Sequence, residues 1–190
     1  MKKALVLLAD GFEDVEAITP IDYLRRAGIG VTTASITENL TVTSKWGEIK
    51  IIADTTLSAL NVQLSANNDF DAVILPGGML GAENLAASED TGKLLREMHD
   101  AGKLICAICA SPAVVLAPLG ILDGKRFTCY PGQEEKTPDL IHNWSEDFVV
   151  IDGNIITSRA AGTAGEFAVA IIEKLLDKKA ADKIVDIVLM

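Results

Sequence analysis

"LICAICASPAVVLAPLG", Leu104 to Gly120, decides how the rest of the chain is read. Its first half is a short, continuous apolar run of the kind that makes a strand buried on both faces. Its second half opens on the small, turn-prone "CASP", with Pro112 where a first helical turn begins. A strand that passes directly into a helix is the building unit of a parallel α/β sheet. The same stretch sets Cys106 and Cys109 three residues apart at the hand-over between the two elements.

Geometry argues against a redox pair. Residues three apart in a strand face opposite ways, with Cα atoms about 10 Å apart. A disulfide needs roughly 4.4–6.8 Å. A zinc site needs more ligands than this neighbourhood offers, and the two histidines of the chain, His99 and His142, lie elsewhere in the sequence. Cys106, mid-strand, reads as a packing residue. Cys109 has two readings. It packs like Cys106, or it stands on a sharp strand-to-helix turn that projects its side chain above the sheet, as a nucleophile elbow does. A helix start also carries positive partial charge, which lowers a thiol pKa. Position favours the second reading.

Outward from this stretch, short apolar runs alternate with helical patterns. "KALVLLA" reads as a buried strand, and "EDVEAITPIDYLRRAG" as a helix stopped by Gly28. "GVTTASI" is a second strand, and "LTVTSKWGEIKIIAD" a hairpin turning near Trp46-Gly47. "FDAVILPGG" is a strand ending in a glycine loop, and "SEDTGKLLREMHDAGK" a helix with Ser88 as a candidate cap. "SPAVVLAPLG" reads as a helix, "FVVIDGNIITS" as a hairpin, and "TAGEFAVAIIEKLLD" and "AADKIVDIVLM" as two more helices. The expectation is one domain over residues 1–190: a doubly wound α/β sandwich with a mostly parallel sheet. Ligands then bind beyond the carboxyl ends of the strands, where "ADGFEDVE", "LPGG" and "CAICASP" fall.

Composition narrows the function. The chain has 190 residues, 49% of them hydrophobic, enough for a real core. With 17 basic and 27 acidic side chains the formal charge is −10, which argues against a dedicated nucleic-acid or anionic-membrane binder. The apolar stretch from Ala4 to Ala9 is too short for a secretory h-region, and acidic residues follow it at once. No apolar run has the ~18 residues of a membrane span. A cytoplasmic protein with free thiols is expected.

A thiol nucleophile needs a proton partner, usually histidine. Ala110, not histidine, follows Cys109. Carboxylates remain: Glu13, Asp14 and Glu16 crowd the end of the first strand. Burial of Glu16 raises its pKa and lets a protonated carboxyl donate to the thiolate; the plainer alternative is a solvated acidic helix start. In "PGG", the amide of Gly78 joins that of Ala110 as a candidate oxyanion cradle, or simply makes a tight turn.

Four blocks taken together resemble the DJ-one/ThiJ/PfpI superfamily, most closely its Parkinsonism-associated deglycase branch. They are "KALVLLADGFEDVEAITPIDYLRRAGIGVT", "DAVILPGGMLGAENLA", "KLICAICASPAVVLAPLGILDGKRFTCYP" and "DGNIITSRAAGTAGEFAVAIIEKL", in family order. The resemblance implies a flavodoxin-like fold of the class I glutamine amidotransferase type and a homodimer. It implies Cys109 as the elbow cysteine, Glu16 as its protonated partner, and Gly78 and Ala110 as amide donors. Gly77, Ser111, Tyr130, Pro131 and Thr163 are expected to line the site, with Thr163 also capping the helix that follows. The implied activity needs no cofactor or metal: methylglyoxal to lactate, or removal of early glycation adducts, a hydrolase- or lyase-type stress response. A redox sensor or chaperone using the same cysteine is the first alternative, and an amidotransferase-like hydrolase or peptidase the second. Two departures stand out. Tyr130 occupies a block where many relatives carry histidine. Lys45 is the nearest match to a hairpin arginine that reaches across the dimer. Ala110 argues against the peptidase branch, which has histidine there.

Overall fold

"KALVLL" forms β1 (Lys3–Leu8), and all of it past Lys3 is buried, because helices cover both faces of the strand. The computed structural model describes residues 1–64 and 70–190. β1 runs parallel to β2 (Gly30–Ser35) on one side and to β6 (Ala72–Leu75) on the other. β7 (Leu104–Ile108) follows β6, and β9 (Ile155–Ser158) follows β7, again parallel. The short β5 (Thr55–Thr56) closes one edge against β2. β8 (Val149–Asp152) closes the other, antiparallel to β9 across the Asp152–Asn154 turn. The seven-stranded order is β5-β2-β1-β6-β7-β9-β8. The hairpin anticipated around Trp46-Gly47 stands apart as β3 (Thr41–Thr43) and β4 (Lys50–Ile52).

Alternation along the strands feeds two cores. Leu5, Leu7, Ile105 and Ala107 face α2 (Leu57–Leu64), α3 (Met79–Ala87) and α4 (Glu89–Asp100), where Leu85, Leu95 and Met98 meet them. Val6, Leu8, Cys106 and Ile108 face α1 (Asp14–Arg26), α5 (Ala164–Leu175) and α6 (Lys178–Val188), with Leu24, Phe167 and Ile171 packed on them. Cys106 is thus a core residue, as its mid-strand position implied. The ends of the elements follow local chemistry. Ser88 Oγ accepts the Thr91 N–H at 3.2 Å and caps α4. Gly28, at φ 81°, takes the left-handed turn after α1 that a side chain resists.

One expected helix differs. "SPAVVLAPLG" is a π turn over Pro112–Leu116, followed by a 3-10 turn over Ala117–Leu119. The Ala117 N–H donates to the Pro112 carbonyl, five residues back. Pro118 has no N–H with which to restore the α register. The chain leaves β1 towards β2 and later returns to the other side of β1 as β6, so the order reverses at β1. The crevice beyond that reversal receives the ends of β1, β6 and β7.

Candidate active site

Cys109 is the first residue past β7 and has φ 65°. For a side chain bearing a Cβ this region costs on the order of 1–3 kcal/mol, so its surroundings must hold it. They do so through both backbone groups. The Cys109 N–H donates to the Ser158 carbonyl at 3.0 Å, and its carbonyl accepts the Tyr130 N–H at 2.8 Å. The next turn begins at once, with the Val114 N–H donating to the Ala110 carbonyl at 2.9 Å. The sharp strand-to-turn passage leaves the Cys109 side chain partly accessible, whereas Cys106 and Cys129 are buried.

α1 brings the carboxylate. Glu13 precedes the helix, and its Oε2 accepts the Glu16 N–H at 2.8 Å in the capping position. The Glu16 side chain points inward and is 1% exposed. Its Oε2 accepts the Gly77 N–H at 2.9 Å, and its side chain is hydrogen-bonded with Cys109. Gly77 has a steric reason to be glycine: a Cβ there would overlap both Cys109 Cβ and Glu16 Oε2. Gly78, at φ 82°, lies so close to the loop after β1 that a Cβ would overlap the Gly11 carbonyl. Ser111 Oγ donates to the Pro76 carbonyl at 2.6 Å and ties the β6 and β7 loops together.

The electrostatics correct one expectation. Burial pushes Glu16 from the ordinary 4.5 to about 7, against the hydrogen bonds from Cys109 and Gly77. Cys109 is not lowered. Burial first, and then the charge of Glu16, push it up to about 12, and the amides of Gly78 and Ala110 pull it back only in part. The helix-start effect loses because the thiol is desolvated beside a carboxylate. The two groups form one coupled site. The first proton leaves the pair near the Glu16 value. In the resulting monoanion the Cys109 thiol keeps its proton and shares it in a hydrogen bond with the Glu16 carboxylate.

The pair opens into a cleft of about 320 Å³. Gly78 and Ala110 border it, and Tyr130, 48% exposed, also lines it. Gly77 lies against Cys109 Cβ and Glu16 Oε2, outside the cleft lining. Ser111 and Thr163 are buried, and Pro131 is exposed; none of the three lines the cleft. Thr163 stands in the cap position of α5, yet its hydroxyl points back to Ser158 Oγ at 2.7 Å and to the Ala160 N–H at 3.2 Å. It braces the turn beside Cys109 instead of capping the helix. Lys45 lines the cleft with its ammonium 5.0 Å from the Trp46 ring centroid. Trp46, Met79 and Gln133 also line it, and sequence reasoning did not assign them to the site. Their signal was weak: each sits in a loop or at a helix start, where spacing carries no periodicity. His99 and His142 lie outside this lining. Among the described residues, no His, Cys, Asp and Glu side chains gather as a metal-ligand set.

A flavodoxin-like sheet with a strained cysteine elbow beside a buried glutamate defines a class of cysteine-centred α/β proteins. Residues 2–174 match the DJ-1/PfpI family, and the chain belongs to it. It is 42% identical over 186 residues to protein dj-1beta of Drosophila melanogaster, covering 96% of this chain and 94% of that one. It is 33% identical to a deglycase of Pyrococcus abyssi, covering 84% of this chain and 91% of that one. The oxidized DJ-1 of Toxoplasma gondii superposes with a TM-score of 0.93 at 37% identity, over 100% of this chain and 98% of that chain.

Proposed function

We propose that the chain is a cofactor-independent glyoxalase or deglycase, acting on α-oxoaldehydes such as methylglyoxal or on early glycation adducts. The observation that carries this reading is the contact between Cys109, held at φ 65°, and Glu16, buried and raised to about 7. As Cys109 Sγ bonds to the aldehyde carbon, the thiol proton passes to Glu16. The amides of Gly78 and Ala110 face the developing oxyanion. The alkoxide takes that proton from Glu16, and the freed carboxylate then moves the hydrogen of the former aldehyde carbon, as a proton, to the neighbouring carbon through an enediol. The product is a thioester, oxidised at one carbon and reduced at the next, so no outside oxidant is needed. Water cleaves it to lactate and frees the thiol. Lactate formed from methylglyoxal by wild type, and lost in Cys109→Ser and Glu16→Gln, supports the reading; unchanged turnover in Cys109→Ser sinks it.

The reading extends to the whole molecule: one cytoplasmic domain over residues 1–190, acting as a homodimer. Val15 and Ile18 on α1, with Trp46, Ile49 and Ile52 on the hairpin, are exposed apolar side chains suited to a second copy. Among the described residues no helix is long and apolar enough to cross a membrane. One alternative has its own support. Cys109 is the accessible thiol of the three, and Glu16 is placed to hydrogen-bond a sulfinate, as a redox sensor requires. Intact mass after mild peroxide, with methylglyoxal turnover measured beside it, separates the two.

A further inference from the structure

The proposed reaction occupies Cys109, Glu16 and two backbone amides, and leaves Met79 in the cleft lining without a role. Met79 opens α3 directly after Gly78 and is half-buried. Its Sδ accepts from the Lys136 ammonium at 3.7 Å. Among the described residues Lys136 has no carboxylate within ion-pair reach, so its charge rests on a thioether, a weak acceptor. The contact joins two walls of the cleft. Gly78 and Met79 belong to one, and Tyr130 and Gln133 to the other. On the second wall the Lys136 N–H donates to the Gln133 carbonyl at 3.0 Å, and the Gln133 N–H to the Tyr130 carbonyl at 2.9 Å. The Tyr130 N–H donates in turn to the Cys109 carbonyl at 2.8 Å. Lys136 is therefore tied through the backbone to the elbow that carries the thiol.

A thioether takes one oxygen from hydrogen peroxide. A sulfur lone pair bonds to one peroxide oxygen as the O–O bond breaks, and the other oxygen leaves as water with both peroxide hydrogens. The thioether is oxidised and the peroxide reduced. Sulfur has two lone pairs, so the Lys136 N–H can hold one while the other attacks. The same ammonium can donate to the departing oxygen and then to the sulfoxide oxygen, a far stronger acceptor than the sulfur it replaces. We propose that Met79 is a peroxide-dependent modification site, whose sulfoxide is held by Lys136 and draws the two walls of the cleft together beside Cys109. This is independent of the chemistry proposed for Cys109 itself.

The test follows Met79 by peptide mass during mild treatment with hydrogen peroxide, in wild type, Lys136→Ala and Lys136→Arg. Met1 and Met190, both exposed, and Met98, fully buried, serve as internal references. If Lys136 merely shielded the sulfur, truncating it would speed the gain of one oxygen at Met79. The expected result is the reverse. Oxidation of Met79 slows by up to about tenfold in Lys136→Ala, the worth of one charge-assisted hydrogen bond, and Lys136→Arg keeps the wild-type rate. Oxidation of Met79 as fast or faster in Lys136→Ala overturns the proposal. So does a Met79 left reduced in wild type while Met1 and Met190 are oxidised. The closing of the cleft is read without peroxide, so that Cys109 stays reduced. Met79→Gln sets an oxygen near the place where the sulfoxide would carry one. Alkylation of Cys109 by iodoacetamide is expected to be several-fold slower in Met79→Gln than in Met79→Leu, with the difference lost when Lys136→Ala is added to both. Equal rates in Met79→Gln and Met79→Leu overturn the closing.

Discussion

Cys109 and Cys129 both lie beside a glutamate, and burial raises both thiols to about 12. Cys129 Sγ faces Glu134 Oε2 at 3.9 Å, while that carboxylate takes the Gly132 N–H at 2.7 Å. Cys129 is fully buried and has an ordinary backbone. Cys109 is forced to φ 65°, borders the cleft, and faces two backbone amides. Its glutamate differs as well: Glu16 is itself buried and raised to about 7, so it can keep the proton that the thiol gives up. A nearby carboxylate does not activate a thiol. On the proposed reading it takes an opening, a cradle of amides and a carboxyl able to hold a proton near neutrality together.

The largest expected contrast comes from removing each sulfur in turn. Cys109→Ser is expected to lower lactate formation on the order of a thousandfold or more. Cys129→Ala stays within about threefold and loses on the order of 1 kcal/mol of stability through the small cavity it leaves. Comparable activity losses in the two would erase the distinction between the pairs.

Gly77→Ala sharpens it from within the site. The added Cβ wedges between Cys109 and Glu16, and a shift of about 1 Å at a reacting pair costs on the order of a hundredfold. Assaying turnover beside a thermal melt checks this. A folded Gly77→Ala with wild-type turnover would show that the two groups need not touch.

Glu16 is expected to reveal itself in stability as well. The folded protein holds its proton up to about 7 and the unfolded chain only to about 4.5. The folded state therefore binds more protons across that interval, and stability falls as pH rises through it. Above the interval, ionising Glu16 costs about 3 kcal/mol. Urea unfolding in mildly alkaline buffer should find Glu16→Gln more stable than wild type, with the gap closing towards acid. A gap that does not change with pH contradicts the buried-carboxyl assignment.

The smallest effect lies away from the site. Ser88→Ala removes the cap of α4 and is expected to cost about 1 kcal/mol with kinetics unchanged, read by urea melts and steady-state rates.

How far all this was legible in the sequence depends on the range of the interactions. The strands of "KALVLL" and "LICAI", the turn after Cys109 and the acidic start of α1 are local patterns, and each stands where periodicity and turn chemistry put it. The direction of the Cys109 shift was not legible, because it depends on how deeply a helix 93 residues earlier in the chain buries a carboxylate beside it. Nor was the π register of Pro112–Leu116, in which the Ala117 N–H reaches back to the Pro112 carbonyl. Thr163 looked like a cap by position, and only the folded turn shows Ser158 competing for its hydroxyl. Gln133 and Met79 enter the cleft through loop geometry that no spacing encodes.

The most direct measurement is the alkylation rate of Cys109 by iodoacetamide, followed by peptide mass between about pH 5 and 10, in wild type and in Glu16→Gln. If thiol and carboxyl titrate as one pair, the wild-type rate rises through about 7, and the glutamine variant, with no carboxyl to take the proton, shifts to well above the ordinary thiol value of about 8.5. A single inflection near that ordinary value, the same in both proteins, would contradict the shared proton on which the site depends.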